Sequence, residues 1–298
     1  MVNIDIISGF LGAGKTTFAN MLLKYYINSG LRPVYIVNEF GKTGLDAEII
    51  KADGFEAVEI EGGFICCTLK NDIGVAMAKV IEAFSPDNII FEPSGIFIFD
   101  NFTDVLKQPQ LRGKCEIKNI FTVVDSVNFN NAKAIYGSFI YNQIKNAPVI
   151  ILSKLEKTDT SVDEVICDIK NINPNALIFS KIFNEWDNLD FTALLNKYRE
   201  PEVNYRSHGH IKFKTLSIAA KGDFSQERVN DLALKCSQGV FGDICRVKGV
   251  VMVDGVYMLI NISFNDVTIS KFNGVTERSL TFIGDSINKK NIVDFIGV

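Results

Sequence analysis

The sequence predicts an α/β fold: a mostly parallel sheet covered by helices, plus a smaller C-terminal α+β domain. Three observations predict it. Near-continuous Val/Ile runs alternate with helical segments from Ile4 to Ser180, as expected of strands buried on both faces. A glycine-rich loop joins the first run to an amphipathic stretch. Past His210 the alternation gives way to several strands in succession.

Taken in order, residues 4–7 are β-rich and run into GFLGAGKT. Phe18, Met21, Leu22 and Tyr25 then follow at the spacing of one helical face. Gly30 and Pro33 punctuate, and VYIV (34–37) reads as the second strand. NIIF (88–91), IFTVVD (120–125), VIILSK (149–154) and ALIFS (176–180) read as further strands. The polar segment 199–210, with Pro201 and Gly209, suits a linker. IKFKTLSI (211–218) reopens strand structure. A helix follows with Val229, Leu232, Ala233 and Cys236 on one face, then strands between Ile244 and Ile283 and a closing helix from about Lys289. The expected division is 1–200 and 208–298.

Composition narrows the function classes. At 298 residues and 47% hydrophobic, the chain can bury a core without covalent staples. Net charge is only −4 and Lys/Arg are scattered, which argues against a nucleic-acid partner. The opening MVNIDIISGF has no basic n-region or long apolar h-region, and no uncharged apolar run approaches the roughly 18 residues of a membrane span. The expectation is a cytoplasmic protein without membrane contact. Cys66, Cys67, Cys115, Cys167, Cys236 and Cys245 show no disulfide-framework spacing, so most should be buried thiols.

Gly9-Phe-Leu-Gly-Ala-Gly14-Lys15-Thr16 matches GxxxxGK[ST] in full, after a strand and before a helix. Gly9, Gly12 and Gly14 let the backbone N–H groups around Ala13 curl toward phosphate oxygens, and the helix opened by Lys15, Thr16 and Thr17 adds its dipole. Lys15 should reach the β/γ-phosphates and Thr16 should ligate Mg²⁺. The expectation is thus a P-loop NTPase. Glu39 follows the second strand and Glu92 follows NIIF, in NEFG and EPSG. Acids at the C-terminal ends of parallel strands lie at the ligand crevice, where both could approach Mg²⁺ or position water. The Gly95 N–H could meet the γ-phosphate as a switch.

GFLGAGKTT, VNEFG, GGFICCTLK, FEPSG, VVD (123–125), the segment 143–154, CRVKG (245–249) and LTFIGD (280–285) occur in this order. The set resembles the CobW family of P-loop GTPases across nearly the whole chain. The resemblance implies Mg²⁺-dependent GTP hydrolysis in a metallochaperone or metal-insertion factor, with some members linked to cobalamin synthesis and others to zinc allocation. It implies a client metalloenzyme or corrinoid enzyme and allows a homodimer.

The chain departs from that pattern at three places. The base-reading NKxD of the family is Ser153-Lys154-Leu155-Glu156 here. Glu156 keeps an acceptor carboxylate for guanine, Lys154 can cover the base with its stem, and Ser153 supplies part of what an Asn amide does. GTP is expected, with ATP as the alternative. The family's three-thiolate CxCC is reduced to Cys66 and Cys67, the first position being Phe64. Two thiolates could take Zn²⁺, Co²⁺ or Ni²⁺ only with a further ligand, for which Glu39, Glu61, His208, His210 and a bound water are the candidates. The pair could equally be packing residues. A histidine-rich storage tract is absent, His208 and His210 being the only histidines.

The leading expectation is therefore a GTPase that delivers metal or a metal cofactor. An alternative is a GTPase or ATPase of the same fold that activates or assembles a client without binding metal. A small-molecule kinase is the third reading, weakened because Arg112 stands alone between Gly95 and Lys154 where a lid would need arginines. No arginine finger is evident in cis, so slow intrinsic turnover is expected.

Overall fold

The computed structural model describes residues 1–38, 45–52, 54–60, 67–95, 102–145, 147–157, 161–196, 213–264, 266–273 and 277–297. They group into two compact units. The first holds a seven-stranded, wholly parallel sheet. Its strands are β1 (Val2–Gly9), β2 (Pro33–Val37), β3 (Ala57–Glu59), β4 (Asn88–Glu92), β5 (Cys115–Asp125), β6 (Val149–Ser153) and β7 (Leu177–Phe179). Their spatial order is β3-β2-β4-β1-β5-β6-β7, so β1 and β4 run through the middle.

Alternation along these central strands sorts side chains between two faces. Ile4, Ile6, Val34, Ile36, Ile89 and Phe91 share one buried cluster with Ile73, Met77 and Val80 of α3 (Cys67–Phe84). The i, i+4, i+7 spacing of those three places them on one helical stripe. Removing each such side chain from water contributes about 1.5–3 kcal/mol.

The opposite face receives α1 (Lys15–Asn28), whose buried residues are Lys15, Phe18, Ala19, Leu22, Leu23 and Tyr26. This stripe is rotated from the expected one: Met21 and Tyr25 are only half-buried. Tyr26 takes the inward place, its Oη donating to Asp5 Oδ2 at 2.7 Å. Tyr25 instead stacks on Phe191 of α7 (Asn188–Leu195) at 5.0 Å between ring centroids. Phe18 sits among Phe121, Phe183, Trp186 and Phe191.

Asp5 is fully buried on this face, near the N-terminal end of β1. It accepts from Tyr26, from Asn119 Nδ2 at 2.5 Å and from Asn88 Nδ2 at 3.5 Å. Burial raises its pKa above the usual carboxylate value, against the pull of those donors. The other first-unit helices are α4 (Phe102–Leu106), α5 (Phe129–Lys145) and α6 (Val162–Ile172).

The second unit includes α2 (Leu45–Ala52) and a six-stranded sheet. In it β8 (Lys214–Ala219), β10 (Ile244–Val253), β11 (Val256–Ser263), β12 (Asp266–Lys271) and β13 (Ser279–Gly284) pair antiparallel in the order β12-β11-β10-β13-β8. The short β9 (Asp223–Phe224) runs parallel to β10. Val229, Leu232 and Cys236 of α8 (Gln226–Ser237), with Ile292 and Ile296 of α9 (Lys289–Ile296), cluster with Val247, Val251, Ile260, Leu280 and Phe282. Arg228 ties the two helices, its guanidinium 4.5 Å from the Phe224 ring centroid and donating to the carbonyl of Phe295 at 2.7 Å.

No helix among the described residues is long and apolar enough to cross a membrane. Cys115, Cys236 and Cys245 are buried and Cys167 is exposed. Burial pushes the Cys236 thiol up to about 12 and raises that of Cys115, so neither is a ready thiolate at neutral pH.

Candidate nucleotide site

The C-terminal end of β1 runs directly into the glycine loop. Gly9 has φ 143°, and a Cβ there would collide with the Val123 carbonyl oxygen of β5. Only glycine allows the strand to leave the sheet so close to its neighbour. Gly12 and Gly14 also take positive φ, at 76° and 95°. Ala13 is buried, and its N–H closes the turn onto the Phe10 carbonyl at 3.2 Å. The Phe18 N–H bonds to the Gly14 carbonyl at 3.0 Å, starting α1. Thr17 is exposed on the first turn.

Lys15 and Glu92 face each other beside this loop. The Lys15 ammonium donates to the Phe10 carbonyl at 3.2 Å and lies 3.9 Å from Glu92 Oε1. Both side chains are about 5% exposed or less. The Thr16 hydroxyl donates to the same Oε1 at 3.2 Å. The other oxygen, Oε2, accepts from Tyr35 Oη of β2 at 2.6 Å. Strand pairing brings these residues together: Asn3 to Ile6 of β1 lie beside Asn88 to Phe91 of β4, and Val37 of β2 lies opposite Glu92. A hydroxyl and a carboxylate oxygen side by side are hard donors of the kind Mg²⁺ takes, so the Thr16–Glu92 pair fits that ion.

Past Glu92 the chain passes against the loop. A Cβ on Gly95 would meet the backbone N of Leu11 at 2.6 Å and its Cα at 2.9 Å, so glycine is required for this approach. Gln143, buried on α5, donates through Nε2 to the Gly95 carbonyl at 3.1 Å and holds the turn from behind. Asn38 is fully buried after β2; its N–H bonds to the Glu92 carbonyl at 2.9 Å and its Nδ2 to the Ile60 carbonyl at 3.0 Å.

On the other side of β1, the end of β6 supplies Ser153-Lys154-Leu155-Glu156. Ser153 Oγ lies 2.6 Å from the Ala13 carbonyl and 3.2 Å from that of Val124, so the hydroxyl ties the glycine loop to β5 and β6. Lys154 adopts positive φ, 58°, and its ammonium donates to Asp125 Oδ2 at 2.7 Å. Asp125 is itself fixed by the N–H groups of Val127 and Asn128 at 2.9 and 3.1 Å and by Asn128 Nδ2 at 3.0 Å. Glu156 sits exposed in the 3₁₀ turn Leu155–Lys157.

The structure thus gathers Lys15, Thr16, Glu92 and Gly95 around one loop, with Ser153 bracing it. Glu39, Glu61, Phe64, Cys66, His208 and His210 lie outside the described residues, and Cys67 is described only as the first residue of α3. Among the described residues no three His, Cys, Asp or Glu side chains converge on one point. Sequence reasoning missed Tyr35, Asp125 and Gln143 as site residues. Asp125 and Gln143 lie in segments that carry the family resemblance, whereas Tyr35 reads only as a core residue of the strand VYIV.

The CobW/HypB/UreG nucleotide-binding domain matches residues 3–180. The zinc chaperone CobW of Pseudomonas aeruginosa is 34% identical over 295 residues, covering 85% of this chain and 77% of its own length. The zinc chaperone CobW of a Sinorhizobium species is 38% identical over 128 residues, 41% of this chain but 36% of that protein. The zinc-regulated GTPase metalloprotein activator 1 of Dictyostelium discoideum is 25% identical over 298 residues, with 83% and 62% covered. Matched coverage of these relatives therefore ranges from about a third to about three quarters of their length. The zinc-bound YjiA GTPase of E. coli covers 99% of this chain and 98% of its own at 14% identity and a TM-score of 0.47, a likeness too slight to add to the sequence match.

Proposed function

Because the chain belongs to the CobW/HypB/UreG family, we propose that it is a Mg²⁺-dependent GTPase that hands a transition metal, zinc first among the candidates, to a client metalloprotein. The observation that carries this reading is the Thr16–Glu92 pair, 3.2 Å apart, set beside Lys15 at the mouth of the glycine loop. Residues 1–200 would form the GTPase domain and 208–298 the attached α+β domain. Zinc enters through the names of the relatives.

On this reading the loop N–H groups and the positive end of α1 bind the phosphates. Lys15 releases the Phe10 carbonyl and turns to the β/γ-phosphate oxygens, neutralising charge as it spreads over the γ-phosphoryl. Thr16 and Glu92 would hold Mg²⁺, which supplies further charge neutralisation across the phosphates. Glu39, with Glu92, would position the attacking water, and the Gly95 N–H would sense the γ-phosphate. The Lys154 stem, its ammonium tethered to Asp125, would lie along the base, and the Glu156 carboxylate would accept from guanine. Cys66 and Cys67 would bind the cargo metal with a ligand recruited from elsewhere. The ready location is the cytoplasm, the client a metalloenzyme or corrinoid enzyme, and a homodimer is compatible with both.

Phe64 favours a second reading, in which the GTPase acts on its client without holding metal, because it replaces one of the three thiolates of the family motif. A turnover panel of GTP and ATP, each with and without Mg²⁺ and with Zn²⁺, Co²⁺ or Ni²⁺ added, separates the readings. Mg²⁺-dependent GTP turnover modulated by one transition metal is expected. Turnover indifferent to all three metals but raised by a client in chelator-treated buffer would transfer the case to the second reading, and a preference for ATP would overturn the role given to Glu156.

A further inference from the structure

The phenol of Tyr35 is an unusual feature in a strand otherwise made of Pro and aliphatic residues (PVYIV) and wholly buried. A tyrosine O–H placed in a core needs a partner. Here the partner is the acid of the nucleotide site: Tyr35 Oη donates to Glu92 Oε2 at 2.6 Å, while Glu92 Oε1 accepts from Thr16 Oγ1 at 3.2 Å. Register explains the reach. Tyr35 lies opposite Ile90, two residues before Glu92 on the neighbouring parallel strand, and the same pleat face carries both side chains. The two carboxylate oxygens are therefore divided between two different hydroxyls, one from β2 and one from α1.

We propose that Tyr35 is a positioning residue for the nucleotide-site metal, holding the Glu92 carboxylate so that Oε1 faces Thr16 and the divalent cation. The terminal torsion of a glutamate is broad and roughly two-fold, so a carboxylate with one oxygen unheld can turn away from its ligand geometry. A short O–H···O⁻ bond, charge-assisted and out of water, removes that freedom. Groups in this position, hydrogen-bonded to a metal-ligating carboxylate, govern metal affinity without touching the metal. The inference deepens the proposed function and rests on Glu92 being the acid that meets Mg²⁺.

The test uses the full chain and three variants, Tyr35→Phe, Glu92→Gln and the double variant. Fluorescent GDP is titrated with and without Mg²⁺, so that the gain in affinity due to Mg²⁺ is read directly, beside the Mg²⁺ concentration that gives half-maximal GTP turnover. Tyr35→Phe keeps the ring in the core and removes only the hydroxyl. It should leave metal-free GDP affinity unchanged and weaken the Mg²⁺-dependent gain by about tenfold to a hundredfold. In the Glu92→Gln background the same change should add little, since the group being positioned is gone. A merely structural role for the hydroxyl would lower thermal stability in both backgrounds and leave the Mg²⁺ dependence alone, and that result overturns the proposal. If Glu92→Gln itself keeps a wild-type Mg²⁺ dependence, the reading of Glu92 falls and the role of Tyr35 falls with it. If Tyr35→Phe does not fold, Tyr35→Met, which fills the core without a donor, takes its place, and an Mg²⁺ dependence equal to wild type in that variant also counts against the proposal.

Discussion

Glu92 and Asp5 stand on the same face of adjacent strands, both almost wholly out of water, yet their surroundings differ in kind. Asp5 is enclosed by neutral donors from Tyr26, Asn88 and Asn119, and its own burial is the largest influence on its proton affinity. Glu92 faces Lys15, Thr16 and Tyr35 at the end of the sheet from which the glycine loop departs. A closed network of neutral partners specifies a core and has nothing left to offer a ligand. A carboxylate set beside an ammonium and a hydroxyl at a helix start is arranged for exchange, because those groups can trade it for phosphate and a cation.

Substitutions at the two ends should separate accordingly. Lys15→Ala removes the ammonium proposed to meet the phosphates and should cut GTP turnover by at least about a hundredfold; turnover within a few-fold of wild type would place the nucleotide elsewhere. Ser153→Ala deletes the brace between the loop and β6. Losing that bond should weaken GDP affinity by about 0.5–1.5 kcal/mol, read by titration, with the proposed preference for GTP over ATP unaffected because the hydroxyl is turned to the loop. A collapse of base preference instead would make Ser153 a reader of the base.

Asp5→Asn should leave turnover untouched and change only how stability follows pH. The sign follows from the raised pKa: the folded chain keeps the proton to higher pH than the unfolded chain, whose value is near 3.8. The stability tied to Asp5 is thus fully present below that value and is lost as pH rises through the folded pKa. Urea unfolding of both proteins at stepped pH should show wild type losing ground to Asp5→Asn over that interval and then holding level. A constant difference across the series would mean that burial does not control this carboxyl.

The same contrast explains what could be read from the chain alone. The loop was legible because Gly9 to Thr16 are contiguous and their chemistry depends on local backbone shape. The central strands were legible as apolar runs, and the position of Glu92 at a strand end followed from them. Tyr35 was not, since a tyrosine in VYIV reads as one more core residue until the β2–β4 register puts its hydroxyl on Glu92. Asp125 and Ser153 depend in the same way on β5 lying beside β6. The helical stripe of α1 was misplaced by one position because Tyr26 is drawn inward by Asp5, a partner 21 residues away. Pairings of this kind belong to the tertiary arrangement and leave no trace in local periodicity.

On the proposed function, nucleotide state and metal binding are coupled in one protein. Reciprocity requires that GTP and GDP forms differ in metal affinity if metal alters GTP and GDP binding unequally. The most direct measurement is Zn²⁺ affinity, by competition with a chromophoric chelator, for the chain loaded with a non-hydrolysable GTP analogue and with GDP, alongside Cys66→Ala/Cys67→Ala. Unequal Zn²⁺ affinities in the two nucleotide states, and loss of that difference in the double variant, are expected. Equal affinities in both states of the wild-type chain would contradict the coupling.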